Sequence, residues 1–232
     1  MAKPLEEYMI SDPICIYYVD GAFSYNSYLI STNEKLGQFS KEDLIAIDWT
    51  GIDIRKESMG YRKENSIQLK FFHAIENDYD VVINDDGSGE AADIVAFKVI
   101  NDEILLTLIH CKFSSEDQPG ARLKDLYEVC GQAQRSIRWK IMTFNYLYKH
   151  IKKREEKLKR DKGYTKFLKG NINDFSSIKN QARTKPIKLQ VMIVQPGLSV
   201  SKVTDEMLKL LGSTSIFINK TTMADLIVFG SE

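Results

Sequence analysis

Two acids and a lysine stand where two short apolar runs begin and end. Glu90 and Asp93 bracket the start of ADIVAFKVI (92–100), while His110 and Lys112 close ILLTLIHCKF (104–113). Side chains two apart on a strand share a face, so His110 and Lys112 point one way and Cys111 the other. The intervening NDE (101–103) is a tight-turn signal that makes the two runs antiparallel neighbours. The end of the second then lies beside the start of the first, which brings Lys112 to Asp93. A carboxylate and an ammonium at adjacent strand ends, with a second acid nearby, can hold a divalent cation and a water. The cation stabilises charge on a phosphate, and the lysine orients or acidifies the attacking water. His110 reads equally as a ligand or as a hydrogen-bonded core histidine, and Cys111 as core packing.

These groups need a scaffold. Apolar positions Ile67, Leu69, Phe71, Phe72 and Ile75 predict a helix within Tyr61–Asn77, and YDVVI (79–83) predicts a strand. DDGSGE (85–90) is a polar turn. After SSEDQPGAR, one long helix is predicted from about Leu123 to Lys162, with apolar residues at three- and four-residue spacing. Gly131 interrupts that pattern at a cost of ~1 kcal/mol relative to alanine, as expected where another backbone comes close. Beyond Gly163 the chain is polar until LQVMIVQP (189–196), a strand stopped by Pro196-Gly197. VTDEMLKLLG (203–212) reads as a helix ending on glycine, SIFIN (215–219) as a short strand, and TMADLIVFG closes the chain. Upstream, Pro13–Ile30 reads as a β-hairpin around Asp20-Gly21, Lys41–Ile47 as a short helix and Trp49–Ile54 as strand-like. The element order predicts an α/β fold with a mixed central sheet flanked by helices. Residues 1–60 are expected to form a β-rich extension packed on a core at 61–232.

The chain has 232 residues, enough for one large domain. Hydrophobic residues make up 43% and charged residues 28%, too apolar for a disordered chain. Lysine plus arginine equals aspartate plus glutamate at 32 each, so affinity for a polyanion must come from how charge is distributed. Three scattered cysteines (Cys15, Cys111, Cys130) argue against a disulfide framework or a zinc module and favour a reducing compartment. No apolar run approaches the ~20 residues that cross a bilayer. MAKPLEEYMISD has acids where a secretory signal is basic and then apolar. The expectation is a cytoplasmic protein with no membrane partner.

With Asp93 and Lys112 so placed, the chain resembles the PD-(D/E)XK phosphodiesterase superfamily, the restriction-endonuclease-like fold that includes Holliday-junction resolvases. The resemblance covers about residues 62–140, and YDVVINDDGSGEAADIVAFK is similar to the resolvase pattern of a polar loop before the aspartate strand. Asp93 falls on the family's metal-binding aspartate and Lys112 on its lysine. The triplet here reads His110-Cys111-Lys112, with histidine in place of the second acid. The place of the first-helix acid falls near Ile67–Gln68, with Glu64 about one turn earlier and Glu57 before the helix. The resemblance therefore implies that the charge of three carboxylates comes from Asp93, Glu90 and one of Glu64 or Glu57. His110 as a metal ligand would favour Mn2+ over Mg2+.

HCKFSSEDQPGARLKDLYEVCGQAQRSIRW, with DWTGIDIRKES, the SIQ of 66–68 and the VQPGLS of 194–199, is also similar to the nuclease module found beside helicase-like proteins in prokaryotic defence systems. That implies a metal-dependent endonuclease hydrolysing phosphodiester bonds in DNA, with Mg2+ or Mn2+. DNA, a helicase-like protein and a second copy of the chain are the candidate partners. Asp93, Glu90 and His110 are the expected metal ligands, and Asp93, Glu90, His110, Lys112 and Gln132 the catalytic set. Gln132 and Arg135 would contact phosphate or position water. The imperfect triplet supports a second reading, a nuclease-fold module that binds DNA or a partner protein without cutting. A third is an interaction domain that docks through its basic helix.

That helix is the other charged feature. Lys149–Lys169 carries ten lysines and arginines against three acids (Glu155, Glu156, Asp161). It reads equally as a solvated face or as a phosphate-tracking arm in which Lys152, Lys153 and Arg154 contact DNA, with Tyr146, Tyr148 and Tyr164 near for stacking. The acidic stretch Glu76–Asp93 contrasts with it, as expected if one pole binds cations and the other the backbone.

Overall fold

A computed structural model describes residues 15–18, 22–25, 28–30, 37–60 and 65–232. Asp20-Gly21, the expected hairpin turn, and Glu64 lie outside the described residues. Three short antiparallel strands, β1 (Cys15–Tyr17), β2 (Phe23–Tyr25) and β3 (Tyr28–Ile30), form a small sheet of their own in place of a two-stranded hairpin.

The remaining strands build one seven-stranded mixed sheet. They are β4 (Leu44–Ala46), β5 (Val81–Asn84), β6 (Ile94–Ile100), β7 (Glu103–Cys111), β8 (Phe167–Lys169), β9 (Ile187–Ser199) and β10 (Asp225–Ser231), in the order β4-β10-β9-β7-β6-β5-β8. β4, β10, β9 and β7 run parallel, whereas β6, β5 and β8 alternate antiparallel. The α/β expectation holds. The β6–β7 hairpin also forms as expected: Ile100 pairs with Glu103, and Asn101 takes the left-handed backbone (φ 46°) that such a two-residue turn requires.

Alternation along the strands divides the core in two. Val95, Phe97, Leu106 and Leu108 face one layer, formed by α2 (Leu123–Ser136), α4 (Phe144–Lys162), α5 (Ile172–Gln181) and α6 (Asp205–Thr222). Ile94, Ala96, Ile109 and Cys111 face the other, formed by α1 (Ile67–Ile75) and by Trp49, Ile54 and Met59 of the preceding segment. Residues 44–59 thus belong to the core itself. β4 pairs with β10, and the Trp49 indole donates to the Gly230 carbonyl at 3.0 Å.

Several local expectations change. The long helix is three pieces, α2, α3 (Arg138–Ile141) and α4, broken where Met142 and Thr143 turn extended. SIFIN is the middle of α6, because helix-capping Thr204 starts a run whose apolar residues keep helical spacing to Ile218. β9 runs through Pro196 to Ser199; at that end Gly120 donates its N–H to the Gly197 carbonyl and accepts from the Ser199 N–H. Lys41–Asp43 is a single 3-10 turn leading into β4, and Trp49–Ile54 contains no strand. β8 and α5 arise in the polar stretch after Gly163, α5 through the Asn171–Asp174 capping box. Among the described residues no helix is long and apolar enough to cross a membrane.

Gly131 does not mark close backbone approach. A Cβ there would meet nothing within 4 Å, whereas one on Gly212 would lie 2.1 Å from the Gly37 carbonyl oxygen. The two glycines should respond oppositely in thermal denaturation. Gly131→Ala is expected to stabilise by about 0.5–1 kcal/mol, a rise in Tm of roughly 1–4 °C. Gly212→Ala should destabilise by about 1–3 kcal/mol through the forced backbone shift.

Candidate functional site

The site forms where β5 ends, β6 begins and β7 ends. Asp93 precedes the β6 ladder by one residue and is 2% exposed. Its carboxylate accepts from the Cys111 N–H at 2.9 Å, tying it to the residue before Lys112. It also accepts from the Gln68 side-chain amide on α1 at 3.2 Å. Gln68 therefore occupies the place where the resemblance expects a helix acid, and its own carbonyl oxygen accepts from the Met59 N–H at 2.9 Å.

A further carboxylate, Glu57, stands beside Lys112. The first N–H groups of α1, at Ile67 and Gln68, donate to the carbonyls of Lys56 and Glu57 and so fix that segment against the helix start. The Glu57 carboxylate accepts from the Phe113 N–H at 3.1 Å and lies 3.5 Å from the Lys112 ammonium. Lys112 is also bonded to Glu128 of α2 at 2.7 Å. Burial alone would lower its affinity for a proton, but Glu128 and Glu57 outweigh that and keep the ammonium charged.

Asp86, Glu90 and Asp93 bring carboxylate oxygens within 4.8 Å of one another. The connecting loop is closed by backbone geometry: the N–H groups of Asp85 and Asp86 both donate to the Asp93 carbonyl, and the Gly87 N–H donates to Glu90. Gly87 and Gly89 have φ of +114° and +81°, conformations that favour glycine and turn Glu90 back toward Asp86. Burial raises the carboxyl pKa values of Asp93, Glu90 and Glu57. Asp93, the most buried, is pushed well up despite the Cys111 hydrogen bond, with Glu90, Glu57 and Asp86 adding repulsion.

Arg154 was expected to contact phosphate, and here it is turned inward. It bonds the fully buried Asp85 carboxylate and reaches the carbonyls of Asp85, Asp86, Gly87 and Ser88. Lys166 adds bonds to the Asn84 and Asp86 carbonyls at 3.1 and 3.4 Å. One guanidinium thus holds the loop that carries Asp86 and Glu90. Lys152 and Lys153 stay on the exposed face of α4, and Lys152 lies 3.7 Å from Glu156.

His110 shares the α2 side with Lys112, as strand alternation requires, but is not among the three clustered acids Asp86, Glu90 and Asp93. It lines a chamber of about 10 Å³ with Glu90, Gln132, Arg135 and Trp139. Neither ring nitrogen has a hydrogen-bond partner, nor do the Gln132 side-chain oxygen and the Trp139 indole N–H. Burial, helped by the Arg135 charge, lowers the His110 pKa to about 3, so the ring is neutral at physiological pH. Gln132 and Arg135 thus accompany His110, with Glu90 shared between chamber and acid cluster. Asp86, and Glu57 as the companion of Lys112, are what the sequence reading missed or left open. The signals for Asp86 were its place in the polar turn DDGSGE and in the acidic stretch Glu76–Asp93. Comparison with protein-family models, with curated proteins and with solved structures returned no match.

An acid whose folded-state pKa is raised costs stability above that pKa, and the cost disappears as pH falls toward the unfolded value. Without added metal, Asp93→Asn should therefore melt above the wild type at pH 7.5, with the gap closing as the buffer is taken toward pH 4. Removing Arg154 would leave Asp85 with weaker partners in a buried position. Arg154→Ala is expected to cost about 3–5 kcal/mol in denaturant unfolding, against at most ~1 kcal/mol for exposed Lys153→Ala.

Proposed function

We propose that this chain is a divalent-cation-dependent nuclease that hydrolyses phosphodiester bonds in DNA, in the manner of the PD-(D/E)XK superfamily it resembles. The observation that carries this reading is the meeting of Asp86, Glu90 and Asp93 within 4.8 Å beside the strand end that bears Lys112. Three crowded carboxylates, two of them (Glu90 and Asp93) with pKa values raised by burial, are a donor set short of positive charge, and an all-oxygen set suits a hard cation, Mg2+ or Mn2+. The histidine-based preference for Mn2+ is not retained, because His110 lies outside that set.

When bound, such a cation would supply charge stabilisation to a phosphoryl oxygen and lower the pKa of a water. The protein's own contribution is positional. Gln68 and the Cys111 N–H fix the Asp93 carboxylate, and Arg154 fixes the loop bearing Asp86 and Glu90. Lys112 has three N–H donors and two carboxylate neighbours, which leaves a donor for a phosphate oxygen or an attacking water. Glu128 and Glu57 keep that ammonium charged. The resemblance to the module found beside helicase-like defence proteins points to anti-phage defence or DNA processing in the cytoplasm, with a helicase-like partner.

A second reading, DNA or protein binding without cleavage, is favoured by the neutral His110 in place of an acid. Incubation with supercoiled, linear and single-stranded DNA in Mg2+ or Mn2+ separates the two. Cutting is expected, reduced at least about a hundredfold by Asp93→Ala, Lys112→Ala and Glu57→Gln, and abolished by EDTA. DNA binding with no cutting in either metal would establish the second reading and overturn the first.

A further inference from the structure

Beside the acids lies a cleft of about 690 Å³ that the site as described does not use. Asp86 and Asn84 stand at its acid end. Ser58 and Gly60 line it from the segment before α1, and Lys159, Lys162 and Tyr164 come from the end of α4 and the turn after it. Lys166 also lines it but is largely buried and spends its ammonium on the Asn84 and Asp86 carbonyls. Gly163, at φ +76°, ends α4, and Tyr164, just after it, lines the cleft with Lys162. Beyond it, Phe167 and Leu168 of β8 provide apolar floor.

We propose that this cleft binds single-stranded DNA, receiving the one or two nucleotides next to the phosphate held at the acid cluster. The inference rests on the nuclease reading of that cluster and adds the form of the substrate. Three features point to a single strand. The volume falls within the range of about 300–1,000 Å³ typical of sites that enclose a small ligand, which suits one or two unstacked nucleotides. An aromatic ring between basic side chains is the combination that grips a strand without reading its sequence, the ring taking a base face and the lysines its phosphates. In a duplex both base faces are already stacked, so Tyr164 could reach one only after extrusion of the nucleotide. The sign of charge also changes along the cleft, from the carboxylate of Asp86 to the ammonium groups of Lys162 and of Lys159, which pairs with the buried Glu155 at 2.9 Å and keeps further N–H donors to give. That polarity suits a chain whose cation-bound phosphate lies at one end and whose next phosphates lie at the other.

Fluorescence anisotropy with a labelled single-stranded 12-mer and its duplex, in EDTA so that binding is read apart from hydrolysis, tests this. The single strand is expected to bind at least tenfold tighter than the duplex. Tyr164→Ala should weaken single-strand binding about tenfold, with Tyr164→Phe close to wild type. Lys159→Ala with Lys162→Ala should lower the slope of log affinity against log salt by about 1.4, two phosphate contacts on a single strand. Unchanged melting temperatures would show that these variants fold. Equal or tighter binding of the duplex, or wild-type binding by the Tyr164→Ala and double-lysine variants, overturns the proposal. Tighter binding of the RNA of the same sequence overturns its assignment to DNA. If the wild type cuts duplex DNA while the cleft variants leave its rate unchanged, the cleft inference fails and the nuclease reading stands. Single-strand binding lost in the variants, without cutting in any metal, reverses that outcome.

Discussion

Asp93 is held by a strand and a helix at once, and the rest of the site is arranged around that carboxylate. The Cys111 N–H ties it to the end of β7, and the Gln68 amide ties it to the start of α1 on the opposite layer. A carboxylate this deeply buried is costly unless it is hydrogen-bonded. Two neutral donors satisfy it in part, and a cation would do so more fully. The same two bonds set the spacing between α1, β6 and β7, so the geometry of the site and the packing of the second core layer are one constraint.

Charge around that carboxylate is arranged in two tiers. Asp86, Glu90 and Glu57 repel it, and each is kept near by contacts made elsewhere: a glycine-shaped loop for Asp86 and Glu90, the backbone of Phe113 for Glu57. Behind the loop lies the buried Asp85, paired with Arg154 and with Lys166 at 3.9 Å. A buried ion pair of this kind is weak evidence for added stability, but it fixes one arrangement of the carbonyls that shape the loop. The basic character of α4 is therefore divided, with Arg154 spent on the interior, Lys159 shared between Glu155 and the cleft, and Lys162 left along the cleft.

His110 illustrates how one step along a strand decides chemistry. It lies on the same side as Lys112, yet its ring enters a small chamber against α2 and Trp139. Its unpartnered nitrogens and Glu90, which lines both places, make the chamber adjacent to the acid cluster without being part of it. The break at Met142–Thr143 matters here, because it separates the helix that covers β7 from the helix that clamps the loop. A single straight helix would not carry both Gln132 and Arg154 to their places.

The sequence by itself determined the local pieces. Short apolar runs around an Asn-Asp turn specified β6 and β7, their pairing, and hence the approach of Asp93 to the end of β7; these depend only on neighbours in the chain, whereas the Lys112 ammonium is taken up by Glu128 and Glu57. The α/β class followed from the order of such runs. Tertiary structure decided what depends on distant segments. Glu57 lies 55 residues before Lys112 in sequence and joins it only because α1 folds its segment back beside β7. Arg154 was indistinguishable from its lysine neighbours until the Asp85 loop packed against α4. SIFIN has strand-like composition, yet continuation of a capped helix over the core outweighed its propensity. Local pattern fixes which face a residue presents, whereas the partner on that face is chosen by packing across the whole domain.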